Sequence, residues 1–266
     1  MSLSKHYPTD VTEEQWEVLA PLLPQPTWRP GGPGRRPSDL RQVCNGIFYV
    51  TKSGCQWRMV PREFGQWNTI YGYFRAWRRA GVWAQLLERV RHWERRRQGR
   101  RPEPSAGCID SQSIKAATQG EAVGFDGNKK IKGRKRHLLV DTLGLPVAVV
   151  VTAASCEDRI GLMMLVEGYW ATGVKRLRKL WVDGGYRAQW LEEWVRGVKA
   201  TYKIVLEVVE KAGAGFQVLP RRWTVERTFA WLLNYRRHSR DYEVLPANSE
   251  ALIQISMIHL LLKRLA

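Results

Sequence analysis

The sequence predicts an α+β to α/β chain, with an all-helical first part followed by a mixed sheet that carries helices on both faces. Three observations predict it. Up to about residue 100, apolar residues recur at helical spacing. After Pro104 the period shortens to that of strands. Between the two lies "RRRQGRRPEP", a basic stretch punctuated by Gly and Pro. The chain therefore divides into residues 1–100 and 105–266.

Taken in order, "TDVTEEQWEVLAPLLP" opens with Thr12 and Gln15 at capping-box spacing, and Trp16, Leu19, Ala20 and Leu23 share one face. "PQPTWRPGGPGRRP" reads as a loop. Ser38 is the expected cap of a second helix striped by Leu40, Val43, Cys44, Ile47 and Phe48. A compact turn, "SGCQWRMVP", leads to a third helix with Ile70, Tyr73, Phe74 and Trp77 inward, and a fourth covers about 82–97. The second part reads as five strands, "AGCIDSQSI", "HLLVDT", "LPVAVVVTAA", "KLWVDGGY" and "TYKIVLEV". "DTLGLP" is the hairpin turn between the second and third. Helices are expected at about 158–172, 187–198, 222–237 and 247–264. Antiparallel strands first and α/β crossovers later give a mixed sheet.

Composition bounds the function. The 266 residues carry 43 Lys and Arg against 25 acids, a formal net charge of +18, and 44% hydrophobic residues. That is enough apolar content for a packed core, and it argues against disorder. The charge points to a polyanionic partner, first of all nucleic acid. No apolar run reaches the roughly 20 residues of a spanning helix, so no membrane is expected. "MSLSKHYPTD" has no apolar segment, and a cytoplasmic chain without a secretory signal is expected. The four cysteines lack CxxC spacing, which argues against a zinc site.

Within this basic chain two acids stand at strand ends. Asp110 ends the first strand and Asp183 the fourth. If those strands are adjacent, the two carboxylates meet at one sheet edge; each alone could equally cap a turn. A third acid, Glu226, lies on the helix after the fifth strand, on a face that reads Arg222, Glu226, Phe229, Leu233. A carboxylate among apolar side chains is costly unless paired or bound to metal.

"IDSQSIK", "DGNKKIKGRKRHLLVDTLGLP", "WVDGGYR" and "RRWTVERTFAWLLNYRRHSRDYE" together resemble the DDE transposases of bacterial insertion sequences, the IS5 family within the IS4-like group. "VTEEQWEVLAPLLP" and "GCQWRMVPREFGQWNTIYGYFRAW" are similar to the N-terminal part of that family. The resemblance implies a ribonuclease-H-like core, a DNA-binding helical part and the triad Asp110, Asp183, Glu226. It departs at one place. In the group's Tyr-x2-Arg-x3-Glu-x6-Lys signature, Arg222 and Glu226 match, but Leu219 and Leu233 stand where Tyr and Lys would be. Arg236 or Arg237 is the candidate replacement cation.

The chemistry fits such a triad. Displacement at a DNA phosphodiester needs an activated nucleophile and a stabilised leaving oxygen, and two Mg²⁺ (or Mn²⁺) ions supply both. These ions take oxygen ligands, hence carboxylates. The basic run "NKKIKGRKRH", just before the second strand, is the expected phosphate grip: Lys129, Lys130, Lys132, Arg134, Lys135, Arg136 and His137. The arginines from Arg89 to Arg101 are a second candidate. The second and third helices form a candidate helix-turn-helix-like reader. The expected activity is cut-and-paste transposition: binding of terminal inverted repeats, cleavage, and joining of 3′-hydroxyls to target DNA, with a homodimer pairing the ends. A structure-selective nuclease of the same fold and a domesticated DNA-binding protein are the alternatives.

Overall fold

The computed structural model describes residues 7–25, 37–117, 120–173, 176–186, 189–209 and 223–265. The first part holds four α-helices: α1 (Glu13–Leu19), α2 (Leu40–Ser53), α3 (Trp67–Arg79) and α4 (Val82–Arg97). The Thr12–Gln15 capping box is formed in both directions. The cap of α2 is Asp39 rather than Ser38: its carboxylate accepts the N–H groups of Arg41 and Gln42. A charged acceptor at a helix N-terminus also meets the dipole, which a serine does not. Gly54, at φ 74°, ends α2 in the left-handed conformation.

The second part comprises β1 (Ala106–Lys115), β2 (Gly124–Asp126), β3 (Ile131–Asp141), β4 (Pro146–Ala153), α5 (Asp158–Ala171), β5 (Lys179–Asp183), α6 (Gln189–Tyr202), β6 (Val205–Val209), α7 (Trp223–Leu233) and α8 (Pro246–Leu265). The sheet is mixed, in the order β2-β3-β1-β5-β6, with β4 also paired to β3. β1 is antiparallel to β3 and parallel to β5, and β5 is parallel to β6. The five expected strands and four expected helices are thus all present. One short strand, β2, has too few residues to leave a periodic signal.

Alternation divides the sheet. Cys108, Leu138, Val140, Val151 and Trp181 face one core, which continues through α7 and α8 into the first part. Ile47, Phe48, Trp83, Leu86 and Val90 belong to that same core with Leu252, Ile255, Ile258 and Leu262 of α8. Each such side chain, fully buried, contributes about 1.5–3 kcal/mol. Ile109, Leu139, Leu180 and Val182 face a second core with α5 and α6. The α5 helix comes very close to β3: a Cβ at Gly161 would fall 2.1 Å from His137 Nδ1. Arg95, buried on α4, pairs with the buried carboxylate of Asp141, the last residue of β3. None of the described helices is long and apolar enough to cross a membrane.

Candidate active site

β1 and β5 are adjacent, with Cys108 opposite Trp181. Extending that register by two residues brings Asp110 level with Asp183. Period-2 alternation puts both on the face of Cys108 and Trp181, which is the face covered by α7. One oxygen of each carboxylate is held by nearby backbone: Ser111 N–H donates to Asp110 at 2.7 Å, and Gly185 N–H donates to Asp183 at 2.9 Å.

Glu226 comes from α7, whose Val225, Phe229 and Leu232 are buried against the sheet. Thr224 Oγ1 lies 3.4 Å from the Cys108 sulfur and fixes the helix against β1. Glu226 itself is exposed and lines an open groove of about 390 Å³ with Ser111, Gln112, Ser113, Lys129, Phe229, Ala230 and Leu233. The stripe containing Glu226 therefore faces a groove beside β1. Leu233, expected to be an inward residue of that stripe, is 58% exposed. Arg222 lies outside the described residues.

The basic run is placed otherwise than expected. It does not precede a strand; from Ile131 it is the strand β3. Lys129, Lys130 and Lys132 are exposed. Arg134, Lys135, Arg136 and His137, expected to grip phosphate, are instead buried. β3 lies between β1 on one edge and β2 and β4 on the other, with helices over both faces, so these side chains have only protein to meet. Arg134 pairs with Asp241 at 3.1 Å and donates to the carbonyls of Glu121, Glu243 and Val244. Lys135 reaches Asp158 at 2.9 Å, Asp126 at 3.6 Å and the Cys156 carbonyl at 2.7 Å. Arg136 donates to the His238 carbonyl, and burial brings its guanidinium down to about 10. His137 shares a hydrogen bond with Thr152, and burial lowers its imidazole to about 4. Arg237 is likewise buried, tied to Glu243 and the Cys55 carbonyl, so it is not a replacement cation. Arg236 is exposed. In the arginine run, Arg91 and Arg95 face inward, while Arg89, Arg96 and Arg97 are exposed.

Several site-lining residues had no signal of their own in the sequence. Ser111 and Ser113, on the face of β1 opposite Asp110, donate to Asp158 at 2.7 Å and to Asp126. Burial pushes the Asp126 carboxyl up, but the Ser113 hydroxyl, the Lys129 N–H and the Lys135 ammonium outweigh it and leave it at about 2. Tyr186, buried just past Asp183, has its phenol raised well above 10 by burial and by Asp110, Asp158 and Asp183. Only the quoted "WVDGGYR" hinted at it, by placing a tyrosine three residues after an acid. Elsewhere, Glu88, His92 and Glu103 bring their ligand atoms within 4.8 Å of one another. Arg91 pairs with Glu103 at 3.6 Å and with Glu88 at 4.0 Å, so this group already holds a cation, and it shares no residue with the groove.

Comparison with known proteins decides the family. The model of the "Transposase DDE domain" matches residues 101–261. This chain belongs to the DDE transposase family. A model described as "Putative transposase of IS4/5 family" matches residues 11–87 of the transposase. Two Burkholderia cepacia proteins are similar to it. One is the "Insertion element IS402 uncharacterized 16.2 kDa protein", 35% identical over 117 residues, which is 43% of this chain and 78% of that protein. The other is the "Putative transposase for insertion sequence element IS402", 29% identical over 111 residues, 40% of this chain and about half (51%) of that protein. The DDE family uses divalent metal, and Glu226, which lines the groove, offers oxygen ligands.

Proposed function

We propose that Asp110, Asp183 and Glu226 form the metal-binding triad of a cut-and-paste transposase. The observation that carries the reading is the matched level of Asp110 and Asp183 on adjacent strands, on the face over which α7 presents Glu226. Three oxygen-donor side chains from separate elements suit two Mg²⁺ or Mn²⁺ ions, which when bound would activate an attacking oxygen and stabilise a leaving one. The protein's own part is to fix the carboxylates. The Ser111 and Gly185 N–H groups each hold one oxygen, and buried α7 sets Glu226 against β1. The antiparallel β4-β3-β1 order followed by parallel β5 and β6 supports a ribonuclease-H-like core.

The substrate is double-stranded DNA. The transposase binds terminal inverted repeats, releases 3′-hydroxyl ends and joins them to target DNA, acting in the cytoplasm as a homodimer that pairs two ends. The exposed Lys129, Lys130, Lys132 and Arg236 contact phosphate, and Arg222 does so from the segment before α7. Residues 1–100 read the repeat and 105–266 supply the chemistry, although the two parts share a core, so this division is tested in the full-length chain. The test is an assay with the element's own ends, a target duplex and Mg²⁺. Joined product supports a transposase. Hydrolysis without joining, with a preference for branched DNA, assigns a nuclease instead.

A further inference from the structure

One cation of the basic run is set apart from the others by the turn that carries it. Between β2 and β3 the chain folds over the Asp126 side chain, whose Oδ1 accepts the N–H groups of Asn128 and Lys129, each at 3.0 Å. Lys130, the next residue, takes the left-handed conformation at φ 53°, which a non-glycine residue seldom adopts. The other oxygen of Asp126 receives the Ser113 hydroxyl and faces the Lys135 ammonium at 3.6 Å. Lys135 also reaches Asp158 at the start of α5. The turn is thereby tied to β1, β3 and α5.

The consequence is a fixed position for Lys129. Its ammonium lies 3.3 Å from the carbonyl of Ser111, the residue after Asp110, and it lines the groove that Glu226 lines. Neither Lys130 nor Lys132 lines that groove. Leu233, which also lines the groove, brings no charge, and Arg237 does not line it but is buried against Glu243.

We propose that Lys129 is a reaction-centre residue that grips the phosphate undergoing displacement, while Lys130 and Lys132 hold backbone away from the chemistry. The ammonium donates a hydrogen bond to a non-bridging oxygen and keeps its proton. A charge-assisted bond to a phosphoryl oxygen strengthens as negative charge builds there. This rests on the triad reading of the same groove.

The experiment uses the full-length chain and a duplex ending in the element's own repeat. The duplex is unmodified or carries an uncharged methylphosphonate at one of the phosphates around the nick. On the unmodified duplex, Lys129→Ala should slow cleavage about 100-fold while metal-free binding changes less than about threefold. Lys129→Arg should recover most of the rate. On one methylphosphonate duplex, and only there, the alanine penalty should shrink to less than about threefold, because the contact is already lost. Lys132→Ala should weaken binding to every duplex alike. A Lys129→Ala penalty equal on all duplexes would make the residue merely structural and overturn the proposal, as would an unchanged rate. Asp110→Asn, assayed in parallel, separates the two readings: if it still cleaves, the triad fails whatever Lys129 shows.

Discussion

Asp110 and Asp183 stand two residues beyond Cys108 and Trp181, the last paired residues of two adjacent parallel strands, and so lie at one level on one face of the sheet. Two carboxylates brought together this way repel each other, and a divalent cation reverses the local charge. Asp110→Asn, Asp183→Asn and Glu226→Gln should each lower cleavage at least about a thousandfold, roughly 4 kcal/mol of transition-state stabilisation. Binding to element ends should survive. The check is nicking of an end-labelled duplex beside a metal-free binding assay, and near wild-type nicking by any variant removes that residue from the triad.

Metal dependence follows from the proposed all-oxygen ligand set. Mg²⁺ or Mn²⁺ should support strand transfer, and Ca²⁺ should permit assembly with little chemistry. Full activity after exhaustive chelation would sink the metal reading.

Lys130 in the β2–β3 turn and Lys132 at the start of β3, both exposed, should account for the salt-sensitive binding of the run. Neutralising Lys130 and Lys132 together should flatten the slope of log K against log[salt] by roughly 1.8, about 0.9 per phosphate contact. Binding titrations at several salt concentrations measure it. A slope that does not move places this turn away from DNA.

Arg134 should behave as a structural residue. It is fully buried and pairs with Asp241, which in turn accepts the Ser249 hydroxyl. Removing one partner strands the other charge, so Arg134→Ala should cost about 3–5 kcal/mol. Lys132→Ala, at an exposed position, should stay within about 0.5 kcal/mol. Denaturant midpoints of the two variants decide it; equal midpoints would refute the assignment.

Acid should destabilise the fold in two stages. His137 is lowered by burial to about 4, and buried His238 is also lowered well below 6.5. The unfolded chain therefore takes up these protons first. Stability is complete above about pH 6.5 and falls as pH drops towards 4, by about 3 kcal/mol for His137 alone. Asp126, at about 2 in the fold against 3.8 normally, adds a loss between about pH 3.8 and 2. Denaturation at stepped pH should show both stages. His137→Gln should flatten the first and leave the second; a first stage of unchanged steepness would contradict this.

Much of the architecture was readable because it is local. A capping box spans three residues, strand alternation spans two, and the apolar stripes of α1, α2 and α3 repeat within one or two turns, so short windows held those signals. The place of Asp183 at the end of β5 was readable for the same reason, but Asp110, expected to end its strand, lies midway along β1, which runs on through polar residues to Lys115 because β3 pairs with it that far. What lay beyond such windows was pairing. The basic run reads as one solvated patch because a sequence shows charge but not its counter-charge. Asp241 is 107 residues from Arg134. Asp158 lies on a different helix from the strand that bears Lys135. Only when β3 is enclosed between strands and helices do Arg134, Lys135, Arg136 and His137 become buried and bonded within the protein, which leaves the lysines of the turn and the strand's first residues outside. The sequence by itself determined the elements, the order of the strands along the chain and the residues that carry charge. The tertiary structure alone decided which charges face solvent, because burial and ion pairing depend on partners that the fold brings together from far along the chain.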